Sequence, residues 1–445
     1  MMPRKLLPSF VFALIALGHG SATQAEILRS RYLEAKPQAL RAVNRPGDLM
    51  PLRLFSDTSY EAVLEELEDH PLNGLVWRGH LADHVNSWVV MVEHEGVIAG
   101  VISTGDRVYR VRFAGGGLHA IEEMDPLSLR WTGDDAIAPY LSSSPGALAA
   151  RSGVTRADEA EITEIDVLMV YTKKAGKLLV KNPREYWYVE ETGAKKAIES
   201  QARLAIAVAN AALKNSKVKA SLRLVGVKKI KGKGSGDFSK DLDRLQDPAD
   251  GFMDRAHVLR DQLGADFVVL ILGKAPEDVG GTGYIVPASH PRAPDFAFSV
   301  VHSPQLWWTT VAHELGHNMG LVHDPSNDTM PSEWRSHPYA RGYRNEAKGL
   351  ATLMAYEKGC WACWLDIPHY SNPKVRWRGE SQPSDPDLLQ PTCKGDEPPW
   401  APDIAFPVCG TKTGKKKFNS AKSIRKNRGI FATYRGCRVS CQPGE

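Results

Sequence analysis

No cysteine precedes Cys360. That absence excludes a thiol nucleophile, a thiol metal ligand and a cysteine-based latch from most of the chain. The sequence also has little excess charge: 56 lysines and arginines against 52 acids leave a net +4, too small to point to nucleic acid. Apart from the extreme N-terminus there is no apolar run approaching the roughly 18–20 residues that span a bilayer. No internal repeat is visible. What remains is the balance of a globular protein, 42% hydrophobic and 24% charged, with 445 residues for two domains of ordinary size.

The cysteines present are Cys360, Cys363, Cys393, Cys409, Cys437 and Cys441. An even, clustered set reads as disulfides in an oxidising compartment. "CWAC" (360–363) has no second CxxC to complete a zinc knuckle, and it lies outside any evident βαβ unit. The N-terminus agrees with export. "MMPRK" is a positive leader, Leu6 to Gly18 an apolar segment, and Gly20, Ser21, Ala22 and Ala25 offer small residues for cleavage. The expectation is a signal peptide over 1–25 and a secreted or periplasmic protein with no transmembrane segment when mature.

Residues 26–141 read as a β-rich, propeptide-like domain after an initial helix, because Ser87 to Asp125 alternates apolar and polar residues between Gly-containing turns. Residues 142–160 lack periodicity and read as a linker, with Arg151 and Arg156 as candidate cleavage points. A second domain, 161–445, begins with the apolar run "EIDVLMVYT". Helical spacing over 194–216, alternation over 218–227, a helical segment before Gly264 and the run "ADFVVLIL" follow. Strands alternating with helices predict an α/β layer with a mostly parallel sheet.

"VAHELGHNMGLVHD" (311–324) carries the chemistry. His313 and His317 stand four apart, so on a helix they share a face. Gly320 lets the chain turn sharply and return His323 as a third imidazole. Three imidazoles with an open fourth position make a catalytic zinc site. Glu314 stands beside the first ligand as the general base toward a water on the ion. Met354, in "GLATLMAYEKG", is either ordinary core filler or a floor under the imidazoles. Tyr356, two residues on, is a core side chain, a fifth ligand of the ion or a catalytic donor to the developing oxyanion.

The motif, the methionine and the segments "IDVLMVYT", "AFSVVH" and "IPHYSNPKVRWRG" resemble the metzincin zinc metalloendopeptidases, and among them the secreted bacterial reprolysin-like and peptidyl-Asp enzymes. The resemblance covers about 160–435. It implies a twisted, mostly parallel sheet with one antiparallel edge strand, near "GGTGYIVP" (280–287), that holds substrate backbone. It further implies an irregular, disulfide-bearing C-terminal subdomain from about 321. Asp324 then hydrogen-bonds around the site without touching the metal. One catalytic Zn2+ is implied, and structural Ca2+ stays undecided. If the upstream domain enforces latency it does so without cysteine: by steric cover, or by a group such as Asp106, Asp125 or His119 on the metal.

For specificity, Lys374, Arg376 and Arg378 alternate in "NPKVRWRG" and share a face if extended, a candidate pocket for acidic residues. The substrate expected is a protein or peptide. Two other readings use the same zinc chemistry: an amidase acting on peptidoglycan peptides, and a toxin-like or surface-binding protein acting on cell wall or anionic glycans. The second rests on the basic stretch 412–429, which could hold an anionic surface.

Overall fold

Strand patterning builds the first layer of the computed structural model, which describes residues 26–84, 86–129, 135–139, 161–180, 191–276, 279–346, 350–356, 366–377 and 412–435. Contrary to the expected initial helix, the first element is a strand, β1 (Ile27–Glu34), whose residues alternate between half-buried and exposed. A single helical turn and a half follows as α1 (Gln38–Ala42), too short to seed a helical layer. Then come β2 (Leu49–Phe55), β3 (Thr58–His70), β4 (Gly74–Leu81), β5 (Trp88–His94), β6 (Val97–Ser103), β7 (Val108–Gly115) and β8 (Leu118–Met124). They form one antiparallel sheet in the order β1-β8-β7-β6-β5-β4-β3-β2.

Side-chain alternation gives this sheet two apolar faces. Leu75, Trp77, Val89, Met91, Ile102 and Tyr109 belong to a core of its own, over which the sheet curls far enough for Tyr60 of β3 to reach Tyr109 of β7. The alternate residues, including Val76, Val90, Val92, Val101 and Val108, face the rest of the molecule.

The second layer is α/β. Its strands are β10 (Thr163–Tyr171), β11 (Ala220–Lys229), β12 (Phe267–Leu272), β13 (Gly281–Tyr284) and β14 (Phe298–His302), joined by a two-residue strand β9 (Ala136–Ile137). The order is β11-β10-β12-β14-β13-β9. The pairs β10–β11, β10–β12 and β12–β14 are parallel and β13–β14 antiparallel. β12 is buried along its whole length, as a central parallel strand should be.

The helices are α2 (Lys173–Val180), α3 (Glu191–Asn215), α4 (Phe238–Gln246), α5 (Arg255–Leu263) and α6 (Thr310–Asn318). Asp237 caps α4 by accepting from the Lys240 amide. The helix α3 is apolar nearly all round, and the structure gives the reason. Ala202, Ala205, Ile206 and Ala209 pack on the helix's own sheet, while Leu204, Ala207, Val208 and Ala211, at i, i+3, i+4 and i+7, pack under the N-terminal sheet.

Beyond α6 lie three short strands, β15 (Arg344–Asn345), β16 (Leu350–Thr352) and β17 (Asp366–Ile367), and a closing helix α7 (Ser420–Phe431). All six cysteines, Arg378, the linker and the leader lie outside the described residues. Among the described residues no helix is long and apolar enough to cross a membrane.

Candidate metal centre

The helix α6 projects His313, Glu314 and His317 from one short, fully buried segment. Its end is set by Gly320, which adopts φ +72, in the left-handed region. A Cβ there would also stand 2.1 Å from the Ser336 hydroxyl, so both conformation and space call for glycine. The turn returns His323 to the first two histidines. The three Nε2 atoms form a near-equilateral triangle with edges of 3.1, 3.2 and 3.1 Å. Ligands about 2.0–2.1 Å from a tetrahedral ion would stand about 3.3 Å apart.

The ring orientations are fixed from behind. His313 Nδ1 faces the carbonyl of Leu353 at 2.5 Å and His317 Nδ1 that of Leu321 at 2.9 Å. With those nitrogens donating, the Nε2 lone pairs point at one another, an arrangement that a bound cation makes favourable. Burial pushes His317 down to about 4, which keeps it in the neutral form that ligates metals.

Met354 is fully buried and sits against Gly316, where a Cβ would be 2.4 Å from its sulfur. Its turn therefore packs directly on the helix and delivers the Leu353 carbonyl to His313. The Tyr356 ring stacks parallel to His313 (centroids 5.7 Å, 8°) and leans on His323 at 4.3 Å. Asp324 ties the two segments together: its carboxylate accepts from the Tyr356 amide and from Asn327. The Glu314 carboxylate is buried and neither oxygen has a hydrogen-bond partner among the described residues. It lies over Gly281 of β13, where a Cβ would come within 2.4 Å of Glu314 Oε1. The glycine on the strand thus makes room for the acid.

The fourth vertex is filled by a residue that sequence reasoning passed over. Asp135 Oδ1 stands 3.0 Å from His317 Nε2 and 2.9 Å from His323 Nε2, and Oδ2 is 3.4 Å from His313 Nε2. These four side chains are the group among the described residues that could hold a metal ion. Burial alone would raise the Asp135 carboxyl, but the surrounding imidazoles reverse this and hold it well below the carboxylate range. Glu314 goes the other way, pushed well up by its burial and then by the Asp135 charge.

The segment after Asp135 continues as β9, parallel to β13, with the Gly283 amide donating to the Asp135 carbonyl at 3.0 Å and the Ile285 amide to that of Ile137 at 2.9 Å. β9 thus occupies the outer edge of β13. Of the groups offered earlier for such a block, Asp106 accepts from Thr104 in a turn, the Asp125 carbonyl accepts from the Ser128 hydroxyl, and His119 accepts from the Ile98 amide inside the sheet. Among the described residues none of the three belongs to the group around the histidines. Asp135 carries no local signal, because it lies 182 residues before His317.

Lys374 and Arg376 line a cavity of about 430 Å³ at the junction of the two layers, together with Lys214, Glu65, Glu66 and Trp88. The metal-centre histidines do not line it. The basic stretch 412–429 is partly turned inward: Arg425 donates to the Lys217 carbonyl and Arg428, buried, to that of Lys219. Lys422 sits over the Tyr339 ring. Only Arg425 and Arg428 of the stretch dock α7 in this way, and its six lysines stay exposed.

Known proteins resemble parts of this chain. Residues 163–365 match the family described as Reprolysin_5, metallo-peptidase family M12. A peptidyl-Asp metalloendopeptidase of Stenotrophomonas maltophilia is 28% identical over 339 residues, 72% of this chain and 74% of that protein. One of Xanthomonas campestris is 26% identical over 302 residues, 67% of this chain and 64% of that protein. Metalloproteinase-II of Bacteroides fragilis is structurally similar with a TM-score of 0.38 at 12% identity, covering 78% of this chain and 93% of that one. From β10 past the three histidines the chain is thus similar to the M12 metallopeptidases, and it is a metalloendopeptidase.

Proposed function

We propose that the chain is an exported zinc endopeptidase made as a latent precursor, with residues 26–141 as its inhibitory region. The observation that carries the reading is the triangle of three Nε2 atoms with a carboxylate at the remaining vertex. His313, His317 and His323 would hold the ion. Zinc bound there would polarise a scissile carbonyl and acidify water.

The residues supply the rest. Glu314, unpartnered and beside the cluster, accepts the proton of the attacking water and passes it to the departing amine nitrogen. Once β9 has left, β13 offers its amides to an extended substrate, fixing the backbone by strand addition. Tyr356, packed on His313 and His323, is positioned to donate to the oxygen that gains charge. Asp324 and Met354 keep the turn and the helix in register. Latency has two parts: Asp135 takes the fourth position, and β9 takes the substrate's strand.

A preference for acidic residues is part of the proposal. Support comes from the names of the relatives, peptidyl-Asp metalloendopeptidases; Lys374 and Arg376 line a cavity away from the metal-centre histidines and add none. The test is hydrolysis of casein and of a mixed peptide library by the chain cut in 142–160. Cleavage at acidic positions, lost with a chelator and restored by about one equivalent of zinc, is expected. Cleavage that survives chelation refutes the metal mechanism, and cleavage without acidic bias refutes the specificity.

A further inference from the structure

The contact between the N-terminal sheet and the α/β layer is built as an interior. Val90, Val92, Val101 and Val108 meet Leu204, Val208 and Ala211 of α3 in a single cluster with no residue more than a few per cent exposed. Trp88 packs on Trp308 with centroids 5.3 Å apart, and Trp308 on Trp307, just before the metal-binding helix. Stripped of the sheet, α3 would present an apolar stripe at i, i+3, i+4 and i+7, and both tryptophans would meet water.

Polar groups fix the register of this junction. Arg110 and Arg112 share the buried carboxylate of Glu122, at 2.8 and 2.9 Å. Each arginine then donates across the junction, Arg112 to the Leu179 carbonyl at 3.0 Å and Arg110 to that of Pro304 at 3.4 Å. Asn73 accepts from the Leu224 amide at 3.1 Å, and Lys214 pairs with Glu66. Four different elements of the second layer are tied in this way. The blocking segment, by contrast, is held among the described residues by the Asp135 carboxylate, the short pairing of β9 with β13 and the packing of Ala136 on Ile285 and Val322.

From this asymmetry we infer that the N-terminal sheet is a lasting subunit of the enzyme: cutting the linker frees the segment around Asp135 and leaves residues 26–129 bound without a covalent bond. The partner for the apolar face of α3 is the chain's own N-terminal sheet, in the mature protein as in the precursor. The interface has an apolar centre with charge pairs around it, the composition of a permanent association and not of a transient one. The inference concerns the junction, so it stands or falls apart from whether cutting switches activity on.

The test uses the full chain with a specific protease site placed at 151–156, cut to completion at micromolar concentration and run on a sizing column. Both fragments are expected to co-elute at the volume of the uncut chain, whatever the activity. Separate elution of a monodisperse catalytic fragment overturns the inference. In the same assay Ala211→Glu, which places a charge in the centre of the junction, is expected to weaken the association roughly a hundredfold or more and to separate the fragments. Co-elution undiminished by that variant, with helical circular dichroism intact, overturns the assignment of the interface. The cut wild-type chain decides the main question even if the variant folds poorly.

Discussion

An uncut chain carrying Asp135→Ala is expected to hydrolyse peptides where the uncut wild type is silent. In the wild type the carboxylate sits within 3.0 Å of His317 and 2.9 Å of His323, and as part of the same chain it acts at an effective concentration in the millimolar range or above. Removing it opens the fourth position but leaves β9 on the edge strand. Among the backbone bonds that remain, those from the Gly283 and Ile285 amides are worth about 1 kcal/mol each. They hold back a further factor of roughly thirty. The uncut variant should therefore be active yet fall short of the cut enzyme by about that factor, and linker cutting should recover it. A variant that binds metal and stays inert until cut would assign latency to steric cover alone.

The second large effect is at Glu314. Its carboxylate is buried, unpartnered and alongside the histidine cluster, with no structural bond for a substitution to break among the described residues. Glu314→Gln keeps the shape that Gly281 accommodates and removes only the proton acceptor. Activity of the cut enzyme should drop about a thousandfold, within the range for loss of a general base, while thermal stability and metal content stay close to wild type. Metal loss in that variant would mean that Glu314 supports the site structurally. A loss in rate of less than about tenfold would place the base elsewhere.

How much of this could be read from the sequence follows from how far each feature reaches along the chain. The spacing of His313, His317, Gly320 and His323 is a local consequence of helix pitch and one sharp turn, so it was legible in full. The Met354 turn was legible from its place after the motif, and its contact with Gly316 explains the glycine inside "HELGH". The antiparallel strand near "GGTGYIVP" was found as β13. The helix α3 was visible as a helix, but its second apolar face pointed to a partner that only the tertiary fold names. The alternation at Lys374 and Arg376 was plain, whereas their neighbours Glu65 and Glu66 come from another sheet. Asp135 had no spacing rule to announce it, because a metal's fourth position can be filled from any distance in sequence. The first strand was misjudged as helical since β1 is only half-buried and shows weak alternation.

The centre is three imidazoles closed by a carboxylate from the N-terminal side. Zinc-edge X-ray absorption on the uncut wild type and on uncut Asp135→Ala tests it most directly. The account predicts one zinc per chain with three nitrogen neighbours and a carboxylate oxygen in the wild type, and loss of that carboxylate signal in the variant with the three nitrogens unchanged. Identical spectra for the two proteins, or zinc bound with fewer than three imidazoles, would contradict it.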